Sequence, residues 1–426
     1  MAKEIVKKIF KKEDIPVNLE TRVYNGNNYE IGITLFSPFN ESISMIKQES
    51  IKQIIIGNDL ECFTPQLTLM YKDMNNVYAN THEMIGQFLR VVIKQPTDVN
   101  EKTTPKYFDN IYMIVNARII DFAVTYSTFE FEAVHESIIK LNRHINYATN
   151  KNLSPVSPYK VITDVLKKAA IDVNEKNVTK TTNRIHYITT QEQTVKDVIK
   201  YGLAAGVNKD SEPAFYYWNM IKETPYIWSM NLDMGEENNY SGNFGLTFYT
   251  GQGGNVSSSD LLVRNVSMIN ANPVDSFIQE SGLDIVWNYD QLNRTWNQTI
   301  TTPYKINKLL SPVPELLKNR IKSNFKIYDY NTYGIRQYHS NFDFLTLYKK
   351  YRDMMLGTNT ITIDVRGLVV REVGQTIELK CNDDNISPLL GGRWKIYRIL
   401  HVFEGNDYNN SLVLFRTFSL KEKKNE

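Results

Sequence analysis

The chain has 426 residues with 49 Lys and Arg against 47 Asp and Glu, a net charge of +2, so no broad electrostatic field points to duplex nucleic acid or an anionic membrane as a partner. The hydrophobic fraction of 42% and charged fraction of 23% are those of an ordinary globular protein with enough chain for several domains. Two cysteines, Cys62 and Cys381, exclude a disulfide framework and make no zinc site alone.

In chain order, the N-terminus MAKEIVKKIFKKEDIP is basic without an apolar stretch of signal-peptide type, and reads as a solvated arm. No run of about 18 apolar residues exists, so no membrane span is expected. From Asp14 to Val134 the pattern is that of strands. Glu30 to Leu35 and Gln66 to Leu69 alternate polar and apolar residues, as one-face-buried strands do. Phe88 to Ile93 and Tyr112 to Val115 are rich in strand formers, and Tyr126 to Val134 places Phe129, Phe131 and Ala133 on one face. Asn25-Gly26-Asn27, Ser37-Pro38 and Pro96-Thr97-Asp98 separate these runs.

Ser154-Pro155-Val156-Ser157-Pro158 marks a boundary. Ser157 is suited to cap a helix and Pro158 to open it, and Val161, Ile162, Val165, Leu166 and Ala169 follow at helical spacing. A second helix starts from Thr194, with Asp197 three residues on, a stripe of Val195, Val198, Ile199 and Leu203, and Gly206 to stop it. Strands resume at Phe215-Tyr216-Tyr217-Trp218 and Gly245 to Tyr249, followed by a flexible Gly251 to Ser259. Three capped helices are then expected, starting at Asn272-Pro273, at Ser311-Pro312, and over Asn341 to Gly357. The end of the chain alternates again: Thr360 to Val365, Ile377 to Cys381, Trp394 to Phe403 and Leu412 to Phe418, with Gly405-Asn406-Asp407 as a turn. The charged Lys421 to Glu426 reads as a frayed terminus.

One internal similarity stands out. Ile85-Gly86-Gln87-Phe88-Leu89-Arg90-Val91-Val92 matches Val373-Gly374-Gln375-Thr376-Ile377-Glu378-Leu379-Lys380, and each is followed, after a loop, by two long strands. It fits a Gly-led strand entry used in two related barrels. It fits a chance pairing equally well, since Gly251-Gln252 repeats it outside a strand.

Signatures of chemistry are missing or incomplete. Gly251-Gln252-Gly253-Gly254 lacks the Lys-Ser/Thr of a phosphate loop. His135-Glu136 has no second His at helical spacing, His144 lying nine residues beyond. Asp383-Asp384 offers too few ordered oxygens for calcium. His401, within Ile399-Leu400-His401-Val402-Phe403, reads as an interface or core residue. No nucleophile elbow or Cys/His dyad signature appears. No catalytic, cofactor-binding or metal residue is therefore assigned and no cofactor is expected.

The closing segment resembles that of phage baseplate hub proteins and of the hub part of type VI secretion spikes. The resemblance rests on Val373 to Leu379, Gly391-Gly392-Arg393-Trp394-Lys395-Ile396, Ile399 to Phe403 and Tyr408 to Leu414: a Gly-entered strand, a Gly-x-Trp strand, a short His-containing strand and a final strand after a turn. The helical segments Tyr159 to Val173 and Gln191 to Gly206, the latter leading into Phe215 to Trp218, are similar to the family too. The insertion from Ser257 to Lys326 departs from its pattern.

The resemblance implies an α+β chain with two tail-tube-like antiparallel β-barrel domains and inserted helical or mixed domains. The divisions expected are 1–150 for the first barrel, 151–212 for a small helical or mixed domain, and 213–256 for strands of the second barrel or a mixed domain. They continue with 257–357 for a helical or mixed insertion, 358–420 for closing strands of the second barrel, and 421–426 for the frayed end. It implies a structural, non-enzymatic subunit of a contractile-type virion tail, made in the host cytoplasm. Its homotrimeric ring would adapt a sixfold tail tube to a threefold central spike. The partners implied are the chain itself, the tail tube or tube-initiator protein, the central spike, the tape measure protein and baseplate wedge proteins. Genomic DNA would pass through the channel without sequence-specific binding. The alternatives are a tail-associated cell-wall hydrolase and a receptor-binding or fibre-attachment protein, the latter drawing attention to Tyr328-Asp329-Tyr330-Asn331-Thr332-Tyr333.

Overall fold

The computed structural model describes residues 15–24, 27–37, 43–60, 62–74, 84–95, 106–148, 156–173, 180–181, 184–185, 189, 192–206, 215–219, 226–230, 244–248, 263–270, 284–290, 295–301, 360–369, 371–381 and 390–415. The alternating runs become strands. In the first half these are β1 (Glu20–Tyr24), β2 (Asn27–Phe36), β3 (Ile43–Ile46), β4 (Ile51–Asp59), β5 (Gln66–Met74), β6 (Phe88–Gln95), β7 (Lys106–Phe122) and β8 (Tyr126–His135). Strict alternation in β8 buries Phe129, Phe131 and Ala133 on one face, as their spacing predicts. They join Ile31, Ile33, Leu67, Leu69, Leu89 and Val91 in one apolar core.

Three helices follow: α1 (Ser137–Leu141), α2 (Pro158–Lys168) and α3 (Val195–Ala205). Ser157 caps α2, accepting from the Lys160 N–H, with Pro158 at the first position. Thr194 and Asp197 close a reciprocal capping box on α3. The stripes Val161, Ile162, Val165, Leu166 and Val195, Val198, Ile199 face each other in a second core, which Phe63 from the β4–β5 loop also enters. Gly202 makes the crossing close, since a Cβ there would lie 2.6 Å from the Ile162 side chain.

The remaining strands are β9 (Phe215–Asn219), β10 (Tyr226–Met230), β11 (Phe244–Phe248), β12 (Val263–Asn270), β13 (Asp284–Asp290), β14 (Thr295–Thr301), β15 (Thr360–Arg366), β16 (Thr376–Cys381), β17 (Gly392–Glu404) and β18 (Asp407–Phe415). The stretch expected as a helical or mixed insertion thus supplies β12, β13 and β14. The three helices expected there lie outside the described residues, as do the Gly251 to Ser259 loop, Asp383-Asp384, Tyr328 to Tyr333 and the basic N-terminus.

Fourteen strands share one sheet whose main path runs β1-β2-β6-β7-β8-β5-β4-β17-β18-β15-β12, with β3 on β2 and with β16 between β11 and β17. The expected separation into two barrels is therefore not what the pairing gives: β4 pairs antiparallel with β17, and strands from both ends of the chain run together in a single sheet. The fold is rich in antiparallel strands with few helices among the described residues. Local alternation specifies a strand and its buried face, but not which strand lies beside it.

Within this sheet one arrangement occurs twice. The first half reads β2-β6-β7-β8-β5-β4 across the sheet, the second β11-β16-β17-β18-β15-β12. The correspondence also holds along the chain, since β2, β4, β5, β6, β7, β8 match β11, β12, β15, β16, β17, β18 in order. One pairing differs: β2–β6 is antiparallel, β11–β16 parallel.

Candidate assembly seam

The two Gly-Gln sites are built alike. Gly86 and Gly374 have φ of 86° and 81°, a region L-residues avoid because Cβ crowds the following carbonyl. The Gly86 N–H donates to the Ile114 carbonyl at 2.9 Å, and the Ile114 N–H donates back to the Gln87 carbonyl at 2.8 Å. In the second half the Gly374 N–H donates to Ile396 at 2.7 Å and the Ile396 N–H to Gln375 at 2.9 Å. Each Gln N–H closes a turn onto the residue three before it, Met84 or Glu372. A register irregularity then follows immediately in both long strands, between Ile114 and Asn116 and between Ile396 and Arg398. The short sequence match, open between repetition and chance, marks equivalent points of two equivalent units.

The units meet at β4 and β17, in register from Gln53 opposite Glu404 to Asp59 opposite Arg398. Gly57 lies opposite Leu400, and a Cβ there would be 3.0 Å from the Leu400 side chain. Beneath the seam, Tyr29 of the first unit packs on Phe403 and Tyr408 at centroid distances of 5.4 and 5.7 Å, and Phe403 stacks on Tyr408 at 4.1 Å. The buried Gln95 side chain bridges the units by donating to the Gly367 carbonyl at 3.2 Å and accepting from the Val369 N–H at 3.1 Å. At one rim Arg22 donates to the Gly405 carbonyl.

Behind the seam lies a buried polar cluster. Tyr408 Oη and Asn410 Nδ2 stand 2.8 and 3.0 Å from His401 Nδ1. Asn410 Oδ1 accepts from Arg371 Nη1 at 2.9 Å and from the Leu368 N–H at 2.8 Å. Burial, with the Arg371 charge nearby, pushes the His401 pKa down to about 3, so the ring is neutral and its Nδ1 accepts. Burial lowers Arg371 to about 10 and raises the Tyr408 phenol. These groups bond to one another and fix the loop after β15 against the hairpin β17–β18, a positioning arrangement of the interior kind read for His401.

The other singled-out residues lie apart. His135 Nδ1 accepts from the Ser137 N–H at 3.2 Å and lies 2.8 Å from Ser137 Oγ, joining β8 to α1. His144 is exposed and its Nδ1 donates to the Glu192 carbonyl at 3.0 Å. The Cys62 thiol donates to Asp59 Oδ2 at 3.3 Å, and burial followed by the Asp59 carboxylate raises its pKa to about 11, so it stays a thiol. Cys381 is at the end of β16, opposite Phe248. Among the described residues no group of three or more His, Cys, Asp or Glu is placed to hold a metal ion. No described helix is long and apolar enough to cross a membrane.

No protein-family model matches the sequence, and no curated protein matches it. Solved structures do match in fold. A tail protein from Neisseria meningitidis superimposes with a TM-score of 0.55 over 91% of this chain and 96% of its own, at 9% identity. The chain shares the fold of this tail protein. A 43 kDa tail protein of prophage MuSo2 from Shewanella oneidensis gives a TM-score of 0.54 over 90% of this chain and 98% of its own, at 10% identity. The tail-protein fold extends the likeness read from the closing strands over most of the chain. Gln95, Arg371 and Tyr29 were not singled out in the sequence, because isolated polar or aromatic residues carry no motif. The bridging role of Gln95 and Tyr29 exists only once the two units meet.

Proposed function

We propose that the chain is a structural hub subunit of a phage tail tip, whose homotrimer adapts a sixfold tube to a threefold spike. The observation that supports this most directly is the tandem of two six-strand units with the same strand order. Three chains carrying two such units each present six similar elements around an axis, and matching two symmetries this way needs no catalysis. In this reading the units correspond to two tube-like barrels completed on assembly. Their proposed divisions are 1–150 for the first, and 213–256 with 358–420 for the second. The helical segment 151–212, the insertion 257–357 and the end 421–426 complete the proposed division. The proposed partners are the tube or tube-initiator protein below, the central spike above, wedge proteins outside, and the tape measure and DNA in the channel. The tail fold of the Neisseria and Shewanella proteins supports placement in a virion tail.

The test is the mass of the purified full-length chain by light scattering, alone and mixed with a central spike protein from the same phage. A trimer in either sample is expected. A strict monomer in both overturns the proposal.

A further inference from the structure

The repeat leaves two strand edges in equivalent positions, one filled within the chain and one not. Along β17, one edge carries β18, while the opposite edge is shared: Gly392 to Lys395 pair with β16 and Arg398 to Glu404 with β4. Along β7, one edge carries β8, and Lys106 to Met113 of the opposite edge pair with β6. From Asn116 to Phe122 that opposite edge has no partner strand among the described residues. It is the place where, by the repeat, a strand equivalent to β4 belongs. That strand is β12, which ends the sheet path with only its β15 side paired among the described residues.

We propose that β12 of one copy pairs antiparallel with the second half of β7 of an adjacent copy, repeating between chains the pairing that β4 makes with β17 within one. The inference rests on the hub reading and names the surface that would join the copies. The register follows from the equivalences. Ile114 matches Ile396 through the Gly-Gln sites, so Ala117 matches Ile399 and Ile119 matches His401. Ile56 opposite Leu67 matches Met268 opposite Ile361, and beyond the register shift after Met268, Gly57 opposite Gln66 matches Asn270 opposite Thr360. Since Leu400 faces Gly57 and His401 faces Ile56, Arg118 is placed opposite Asn270 of the neighbour, and Ile119 opposite Met268.

The β7 edge has the character of an interface rather than of a guarded edge. Ile119, Ile120 and Phe122 are 43, 48 and 63% exposed, in a strand whose unpaired backbone would ordinarily be blunted by charge or proline. Arg118 is the one basic side chain from 116 to 122, and it is engaged with Glu130 across the β7–β8 pair. Within a chain β7 and β12 stand far apart along the sheet path, so joining them needs a second copy. The contact is head-to-tail, which closes into a ring when its rotation permits.

The test uses the full chain with Cys62→Ser and Cys381→Ser, and then Ile119→Cys in one preparation and Met268→Cys in another. Mixed and oxidised, the two are expected to give a disulfide-linked dimer that neither gives alone; the pair Arg118→Cys and Asn270→Cys serves as a second register check. Independently, Ile120→Lys is expected to raise the concentration needed for assembly by roughly tenfold or more while leaving the melting of the single chain unchanged. A trimer by mass that links at neither pair and is unaffected by Ile120→Lys overturns this pairing and leaves the hub reading standing. A chain monomeric by mass under all conditions overturns both.

Discussion

Two glycines of this protein are needed for different reasons, and the difference is measurable. Gly86 has positive φ but nothing within 4 Å of where a Cβ would be, so Gly86→Ala carries only backbone strain, about 1–2 kcal/mol. Gly367 lies flat against the Tyr408 ring, with carbons 2.4 Å from a built Cβ. Gly367→Ala must displace a buried aromatic at the seam and is expected to lose more, with urea midpoints ordering wild type above Gly86→Ala above Gly367→Ala. His401 supplies a pH dependence. Its folded pKa of about 3 lies below the ordinary value of 6.5, so the unfolded chain binds the extra proton between the two. The stabilising contribution is complete above pH 6.5 and is lost as pH falls toward 3, by at most about 1.4 kcal/mol per pH unit. In a series of urea titrations from pH 7 to 4, His401→Gln is expected to fall less steeply than wild type; equal slopes would refute the assignment.

Among the elements, α3 depends on its capping box. The Thr194 N–H donates to Asp197 Oδ2 at 3.0 Å and the Asp197 N–H to Thr194 Oγ1 at 3.3 Å. Thr194→Ala is expected to weaken the helix by about 1 kcal/mol, read as a roughly fivefold faster amide exchange in its first turn. This helix, like α2 and β8, was legible because caps and periodicity are local signals. β4 was not: Ile54-Ile55-Ile56 alternates burial, yet as a bare run of isoleucines it shows no polar-apolar pattern. The second half of β7 escaped notice for the opposite reason. Asn116 to Phe122 is largely exposed, so no one-sided burial shapes its sequence. The strands β12 to β14 lie in the stretch expected as a helical or mixed insertion, where no strand was read.

For the whole molecule, the two units share almost no sequence beyond Gly-Gln, because a sheet interior accepts many apolar side chains while a left-handed turn accepts glycine. The Gly-led entry was therefore the visible trace of a repeat whose extent appears only in the pairing. That β4 would join β17 was not legible, since the residues of the seam are remote in sequence and meet through Tyr29 and Gln95, neither marked by a motif.

Having both units on one polypeptide means that a junction of the β4–β17 kind forms as the chain folds, with no encounter between molecules. In a closed circle of three copies, half of the joints would already exist in each separate subunit. Only the other half would respond to dilution, so such a circle would nucleate more readily than one built from six loose pieces.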